Sequence, residues 1–289
     1  MQHRGELAIH EYLRKVSEGR SSMSKKTIKQ IAKDVEESLT RQFSSKNKKS
    51  FDIRMSNVGR PSCQLWFEKN HPEKALPKPN TFIMNMLIGD IVEAIFKGLL
   101  TEAKVDYKNS EKVTLDIGDN SVSGTYDLII DGAVDDIKSA SDWSYRNKFK
   151  SFASLKESDS FGYIGQLAGY AQASGLKAGG WWVINKANGS FKYIPANGLD
   201  MMEEIYKIKK TALAIKSEKL ERCFDTIDET FNGKKTGNKI LGSECSWCSY
   251  RHACWPTLRE LPALKSRAKE PKIVSYVHIK EEDNDERVS

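Results

Sequence analysis

The dipeptide Asp131-Gly132 constrains this chain more than any other feature. It separates two short β-prone runs, Tyr126 to Ile130 and Ala133 to Ile137, and Asp-Gly supplies the positive φ angles that a two-residue hairpin turn demands. If the loop has two residues, Ile130 pairs with Ala133, and counting back along both strands sets Asp127 opposite Asp136. Alternation then puts Asp136 and Lys138 on that same face, with Ile137 turned to the core and Asp135 to the opposite side.

Helices are expected around this hairpin. Ile9, Tyr12, Leu13 and Val16 recur at helical spacing, a lysine-rich second helix runs from Lys25 to Phe43, and the Ser/Lys stretch Ser44 to Ser50 breaks the pattern. A long helix from Asn80 to about Ala103 is written by Phe82, Met86, Ile91, Ile95, Phe96 and Leu99, with Asn80-Thr81 as its cap. Val113, Leu115 and Ile117 alternate as a strand, Gly162 to Ser174 returns to helix, and Gly180 to Asn185 reads as a buried strand. Leu199 to Cys223 is a further helix, and Asn232 to Lys239 a Gly/Lys/Asn linker. No internal repeat is present.

Two carboxylates converging on one point suit a hard divalent cation such as Mg²⁺ or Mn²⁺, which binds oxygen and keeps water ligands. An amine beside them, Lys138, stabilises charge on a phosphate or orients the attacking water. Glu93 follows Gly89 by one helical turn and offers a third acid; Gln166 and Tyr170 repeat that spacing on the later helix and reach toward the same point. Any one of these acids alone is equally at home as a turn or strand-end residue. The weight lies in their order: Gly-x-x-Asp (Gly124 to Asp127), Asp-x-Lys (Asp136 to Lys138), then Gln-x-x-x-Tyr (Gln166 to Tyr170).

That series resembles the RecB-like branch of the PD-(D/E)XK nucleases, which includes CRISPR-associated, AddB-type and viral exonucleases. The resemblance covers roughly residues 60 to 256. It implies an α/β fold with a restriction-endonuclease-like core, a central mixed sheet flanked by helices, carrying N-terminal helices and a C-terminal iron-sulfur region. It also implies that Asp127 and Asp136 hold the metal, that Lys138 assists catalysis and that Gln166 and Tyr170 shape the site. Many members carry a histidine where this chain has Glu93; a glutamate there is closer to the lambda-type exonucleases and makes Glu93 a metal ligand.

Five cysteines without a secretory pattern point to free thiols or metal ligands rather than a disulfide framework. Cys245-x2-Cys248-x5-Cys254 is a ligand spacing for zinc or an iron-sulfur cluster, and a fourth ligand is required. His252 would complete a local zinc site. The resemblance implies instead a [4Fe-4S] cluster on Cys63, Cys245, Cys248 and Cys254, because the iron-sulfur members place one cysteine before the core and three after it. Cys223 lacks a partner of suitable spacing and reads as a helix thiol.

Lysine and arginine exceed aspartate and glutamate by 46 to 39, and the segment Glu281 to Glu286 is strongly acidic, so the rest of the chain is more basic than its net charge. A polyanionic partner fits. Directly after Lys138, Trp143, Tyr145, Phe149 and Phe152 interleave with Arg146, Lys148 and Lys150, a pattern that suits an unpaired strand through stacking and phosphate contacts; Lys25, Lys26, Lys29 and Lys33 extend the basic surface or form a solvated helix face. No run reaches the length and apolarity of a membrane span, which leads to the expectation of a cytoplasmic protein, in the host cytoplasm if viral. The domains expected are an N-terminal helical region at 1–60, a nuclease core at 61–231, a cysteine-rich region at 232–262 and a flexible tail at 263–289. The function expected is a metal-dependent DNA exonuclease acting on single strands or DNA ends in recombination, replication or repair. The rivals are a non-catalytic nucleic-acid-binding module on the same fold and a structure-specific endonuclease.

Overall fold

The computed structural model describes residues 2–44, 51–118 and 120–280. In chain order its elements are α1 (Arg4–Ser17), α2 (Lys25–Phe43), α3 (Ser62–Asn70), α4 (Thr81–Glu102), β1 (Lys108–Asn109), β2 (Lys112–Asp116), β3 (Ser121–Thr125), β4 (Leu128–Ile130) and β5 (Ala133–Ala140). There follow α5 (Asp142–Arg146), α6 (Phe152–Glu157), α7 (Tyr163–Ser174), β6 (Lys177–Asn185), β7 (Phe191–Pro195), α8 (Met201–Ala214), β8 (Thr226–Phe231), β9 (Lys234–Leu241), α9 (Ser243–Ser246), α10 (Arg251–Cys254), β10 (Arg259–Pro262) and β11 (Ile273–His278). The fold is mixed α/β. The chain divides into two compact units, residues 1–59 with 79–212, and residues 60–78 with 213–289.

The first unit is built on a five-stranded mixed sheet of order β1-β4-β5-β6-β7, in which only β5 and β6 run parallel. Its hairpin forms in the expected register: Asp131 and Gly132 both take positive φ, at 53° and 73°, and Ile130 pairs with Ala133. Side-chain alternation divides the core in two. Val134, Trp181 and Val183 pack toward Ile164, Leu167 and Tyr170 of α7. Leu128, Ile130, Ile137, Trp182 and Ile184 pack toward Ile9 of α1 and Phe96 and Leu100 of α4. Trp181 and Trp182 are fully buried, one on each face. Removing each indole from water, roughly 150–250 Å², contributes at most about 4–6 kcal/mol at ~25 cal/mol per Å².

Several expectations are corrected by this unit. Leu13 and Val16 of α1, and Phe82, Met86 and Ile95 of α4, are exposed, because the sheet packs against only the stripes that carry Ile9 on α1 and Val92, Phe96, Leu99 and Leu100 on α4. Asn80 does not cap α4: its own backbone is already helical, and its side chain makes no capping bond. Three strands of this unit escaped the sequence: β3, which pairs with β2, and the two edge strands, β1 and β7. The Ser/Lys break after α2 lies outside the described residues at 45–50.

The second unit joins chain segments far apart in sequence. Trp66 Nε1 of α3 donates to the Ser217 carbonyl at 2.8 Å, Phe67 stacks on Tyr250 at 5.3 Å, and Leu76 N donates to the Ser249 carbonyl at 2.8 Å. The helix expected to reach Cys223 ends at Ala214. The carbonyls beyond it go elsewhere, that of Ile215 to Lys69 Nζ and that of Ser217 to Trp66. Asn232 to Lys239 is no linker: Asn232-Gly233 turns a hairpin of β8 and β9 within an antiparallel sheet of order β10-β11-β9-β8. The sheet is held by a polar centre. Buried Glu229 accepts from Tyr276 Oη at 2.5 Å, Thr236 Oγ1 at 2.7 Å and Asn238 Nδ2 at 2.8 Å. The expected flexible tail from residue 263 instead contributes β11, which pairs with both β9 and β10; the acidic run from Glu281 lies outside the described residues.

Candidate active site

One step beyond the paired residues of the hairpin, Asp127 stands opposite Asp136, and its Oδ2 accepts from Ile137 N at 2.7 Å. Both acids share the parity of the α7 face. Lys138 Nζ hydrogen-bonds Asp136 Oδ1 at 2.8 Å and lies 2.7 Å from Oδ2 without the alignment of a hydrogen bond, so buried Oδ2 has no hydrogen-bonding partner. Burial pushes the Asp127 carboxyl up to about 6, and repulsion from Asp136 adds to the rise. Asp136 is raised by the same burial, with Lys138 opposing. At Lys138 burial disfavours the charge, yet the two aspartates outweigh it and hold the amine firmly protonated.

Glu93 enters from α4. It is raised by burial and by the negative charge of Asp127, and its Oε1 pairs with Lys97 Nζ at 2.7 Å. Gln166 Nε2 donates to Tyr170 Oη at 3.3 Å; burial pushes the phenol up to about 12, and the charges of Asp136, Asp127 and Lys138 all reach it. Gly124 is required here by packing, since a Cβ on it would lie 2.7 Å from Tyr170 Cε1 and 2.8 Å from Met55 Cβ. All six residues selected from the sequence, Glu93, Asp127, Asp136, Lys138, Gln166 and Tyr170, thus belong to one neighbourhood. Asp135 takes the opposite face, where Trp182 Nε1 at 3.0 Å and Tyr193 Oη at 2.9 Å satisfy both its oxygens.

Two participants went unread in the sequence. Lys97, buried on α4 and bound also to Ser110 Oγ at 2.9 Å, follows Glu93 at the i, i+4 spacing that could have revealed it. Tyr163, at the start of α7, places its ring centroid 5.1 Å from Lys138 Nζ. Among the described residues, no group of three or more histidine, cysteine, aspartate or glutamate side chains stands in a geometry that could hold a metal as placed. Each acid of this site except Asp127 has an ammonium group against it.

The expected nucleic-acid track divides. Trp143 is 68% exposed and Lys150 exposed, but Arg146 is tied to Asp142 at 2.9 Å and Tyr145 lies under Lys192 at 4.1 Å. Phe149 is buried, Phe152 stacks on Trp181 at 5.9 Å, and Lys148 turns inward. Hydrophobic burial won these aromatics because α5 and α6 are too short to present a continuous outward face. Lys25, Lys26, Lys29 and Lys33 lie on the exposed face of α2.

All the cysteines of the second ligand set lie in the second unit and are partly buried. Burial raises Cys245 to about 11, and the charges of Cys248 and Cys254 add to it; burial also raises Cys248 and Cys254. Cys223 is not an isolated helix thiol. Its Sγ accepts from Cys63 N at 3.1 Å, and the Cys63 thiol and the Ser62 hydroxyl bring it down to about 6. Cys63 is raised by the same pairing. His252 Nε2 faces Glu260 Oε2 at 3.2 Å.

No protein-family model matches the chain, and no curated protein matches it. Among solved structures, the chain is similar to one titled "Crystal structure of SSO0001", at 15% identity and a TM-score of 0.41, covering 79% of this chain and 96% of that one. No helix of the described residues is long and apolar enough to cross a membrane.

Proposed function

We propose that the chain is a metal-dependent deoxyribonuclease of the PD-(D/E)XK type, acting on DNA ends as an exonuclease. The observation that carries this reading is the buried Asp136 Oδ2, which has Lys138 Nζ 2.7 Å away but no aligned hydrogen-bond donor, beside Asp127. A buried acceptor without a donor is rare unless a ligand, ion or water fills its valence, and an oxygen-only donor set suits a hard divalent cation. Asp127, Asp136 and Glu93 would hold Mg²⁺ or Mn²⁺, which supplies a water activated at neutral pH and polarises the phosphate when bound. Lys138 keeps its proton and neutralises charge on the phosphoryl oxygens; Tyr170, fixed by Gln166, remains a neutral donor facing the same point.

In the second unit, thiolate donors from Cys63, Cys245, Cys248 and Cys254 suit an iron-sulfur cluster or zinc. His252 is engaged with Glu260, which leaves the four cysteines as the set, and the reading adopted for it is a [4Fe-4S] cluster in a structural role. Anaerobically prepared protein is expected to be brown with broad visible absorption, lost in Cys245→Ser; a colourless protein carrying one equivalent of zinc would contradict the cluster.

The activity is tested with end-labelled linear DNA and Mn²⁺. Wild-type protein degrades it from the ends, and Asp136→Asn, folded by circular dichroism, slows loss of label by roughly 10²–10⁴-fold. Equal degradation by both proteins would remove the site. Cleavage of closed circular DNA would make the activity that of an endonuclease.

A further inference from the structure

Lys148 is 7% exposed, and among the described residues no carboxylate pairs with its ammonium group. What surrounds it is aromatic. Its Nζ lies 4.6 Å from the Tyr163 ring centroid, 4.9 Å from that of Phe161 and 6.0 Å from that of Phe149. Rings hold a cation by their quadrupoles but supply no negative charge, so the ammonium group of this largely buried side chain stays available to an anion that reaches it. Burial accordingly lowers its pKa, with Asp159 opposing from a distance.

The rings form a graded stack. Phe161 and Tyr163 lie nearly parallel at 5.7 Å, and Tyr163 and Phe149 at 5.8 Å. Phe161 is 58% exposed and Phe149 buried, so the stack runs from the surface inward. Lys138 sits against the same Tyr163 ring, at 5.1 Å, which puts one amine at the carboxylates and a second one step further out. The loop that carries Phe161 is held in place: Asp159 accepts from Tyr163 N at 2.9 Å through Oδ1 and from Ile164 N at 2.8 Å through Oδ2. An exposed ring held beside a lysine ammonium group matches the two chemical parts of an unpaired nucleotide, a base face and a phosphate.

We infer that Lys148 and Phe161 form a nucleotide subsite next to the scissile phosphate, Lys148 holding the neighbouring phosphate and Phe161 stacking an unpaired base, with Tyr163 as the wall between the two amines. The inference rests on the nuclease reading and deepens it. It makes the substrate a single-stranded or frayed end, since a base within a duplex has no free face to offer.

The test measures binding separately from cleavage. Full-length wild type, Phe161→Ala and Lys148→Met are titrated by fluorescence anisotropy in Ca²⁺ against a labelled oligothymidylate and a blunt duplex of equal length. Phe161→Ala weakens single-strand binding by roughly 5- to 150-fold, the range of about 1–3 kcal/mol per stacked base, and leaves duplex binding within twofold. Lys148→Met weakens single-strand binding and reduces the salt slope by about 0.7, one phosphate contact. Wild-type affinity and salt slope in both variants would overturn the subsite, and equal losses on duplex and single strand in Phe161→Ala would overturn base stacking. Phe161 is exposed, so its variant decides the matter even if Lys148→Met fails to fold. Weakened binding in Phe161→Ala alongside undiminished cleavage by Asp136→Asn would keep the subsite and remove the catalytic centre; the opposite pair of results would do the reverse.

Discussion

The two faces of the five-stranded sheet pose the same groups to two different environments. On the face toward α1 and α4, Asp135 receives Trp182 Nε1 and Tyr193 Oη, and every polar atom of that contact is satisfied. On the face toward α7, Asp136 lies beside Trp181 in the parallel register, and both Asp136 Oδ2 and Trp181 Nε1 are buried without a hydrogen-bonding partner. The adjacent acids are equally inaccessible to solvent. What separates them is polar satisfaction, and a fold keeps unsatisfied buried groups chiefly where a ligand or a reaction makes use of them.

That contrast can be broken or sharpened by mutation. After Asp136→Asn, the next largest effect is expected at Lys138→Met, which should lower the rate of DNA hydrolysis by roughly 10²–10³-fold while Mn²⁺ binding is kept or tightened, because the competing ammonium is gone; single-turnover kinetics with parallel titrations would show it. On the other face, Asp135→Ala leaves the Trp182 and Tyr193 donors buried and unpaired. It should lower stability by about 2–5 kcal/mol in urea unfolding, with the folded fraction still hydrolysing DNA; loss of activity without loss of stability would show that the faces are not divided as described. Gly124→Ala forces Tyr170 or Met55 to move and should lower stability by about 1–3 kcal/mol, with a parallel fall in activity as the phenol shifts.

The hairpin was legible because the register follows from one dipeptide and from alternation, both local rules, and Asp127, Asp136 and Lys138 take their placement from it, while Glu93, Gln166 and Tyr170 were marked by helical spacing on α4 and α7. The helix limits of α2 and α4 were equally local. What escaped depends on contacts distant in sequence. The sheet containing β8 and β9 gave no apolar alternation because Glu229, Thr236, Asn238 and Tyr276 hold it together. Cys223 reads as an isolated thiol until α3 folds beside it. The aromatics after Lys138 carry the composition of a binding track, but burial against Trp181 and Tyr163 claimed Phe152 and Phe149; Trp143 stays exposed, and the exposed ring beside Lys148 is Phe161, in a loop whose sequence gave no such signal.

The divalent cation proposed for this chain belongs to the under-satisfied face and not to its neighbour. Titration of metal-free protein with Mn²⁺, followed by calorimetry or by the loss of free Mn²⁺ resonance signal, tests it in wild type, Asp136→Asn and Asp135→Asn. Asp136→Asn should weaken binding by at least about tenfold, roughly 1.4 kcal/mol, while Asp135→Asn binds like wild type. Equal binding by all three proteins, or a loss confined to Asp135→Asn, would contradict it.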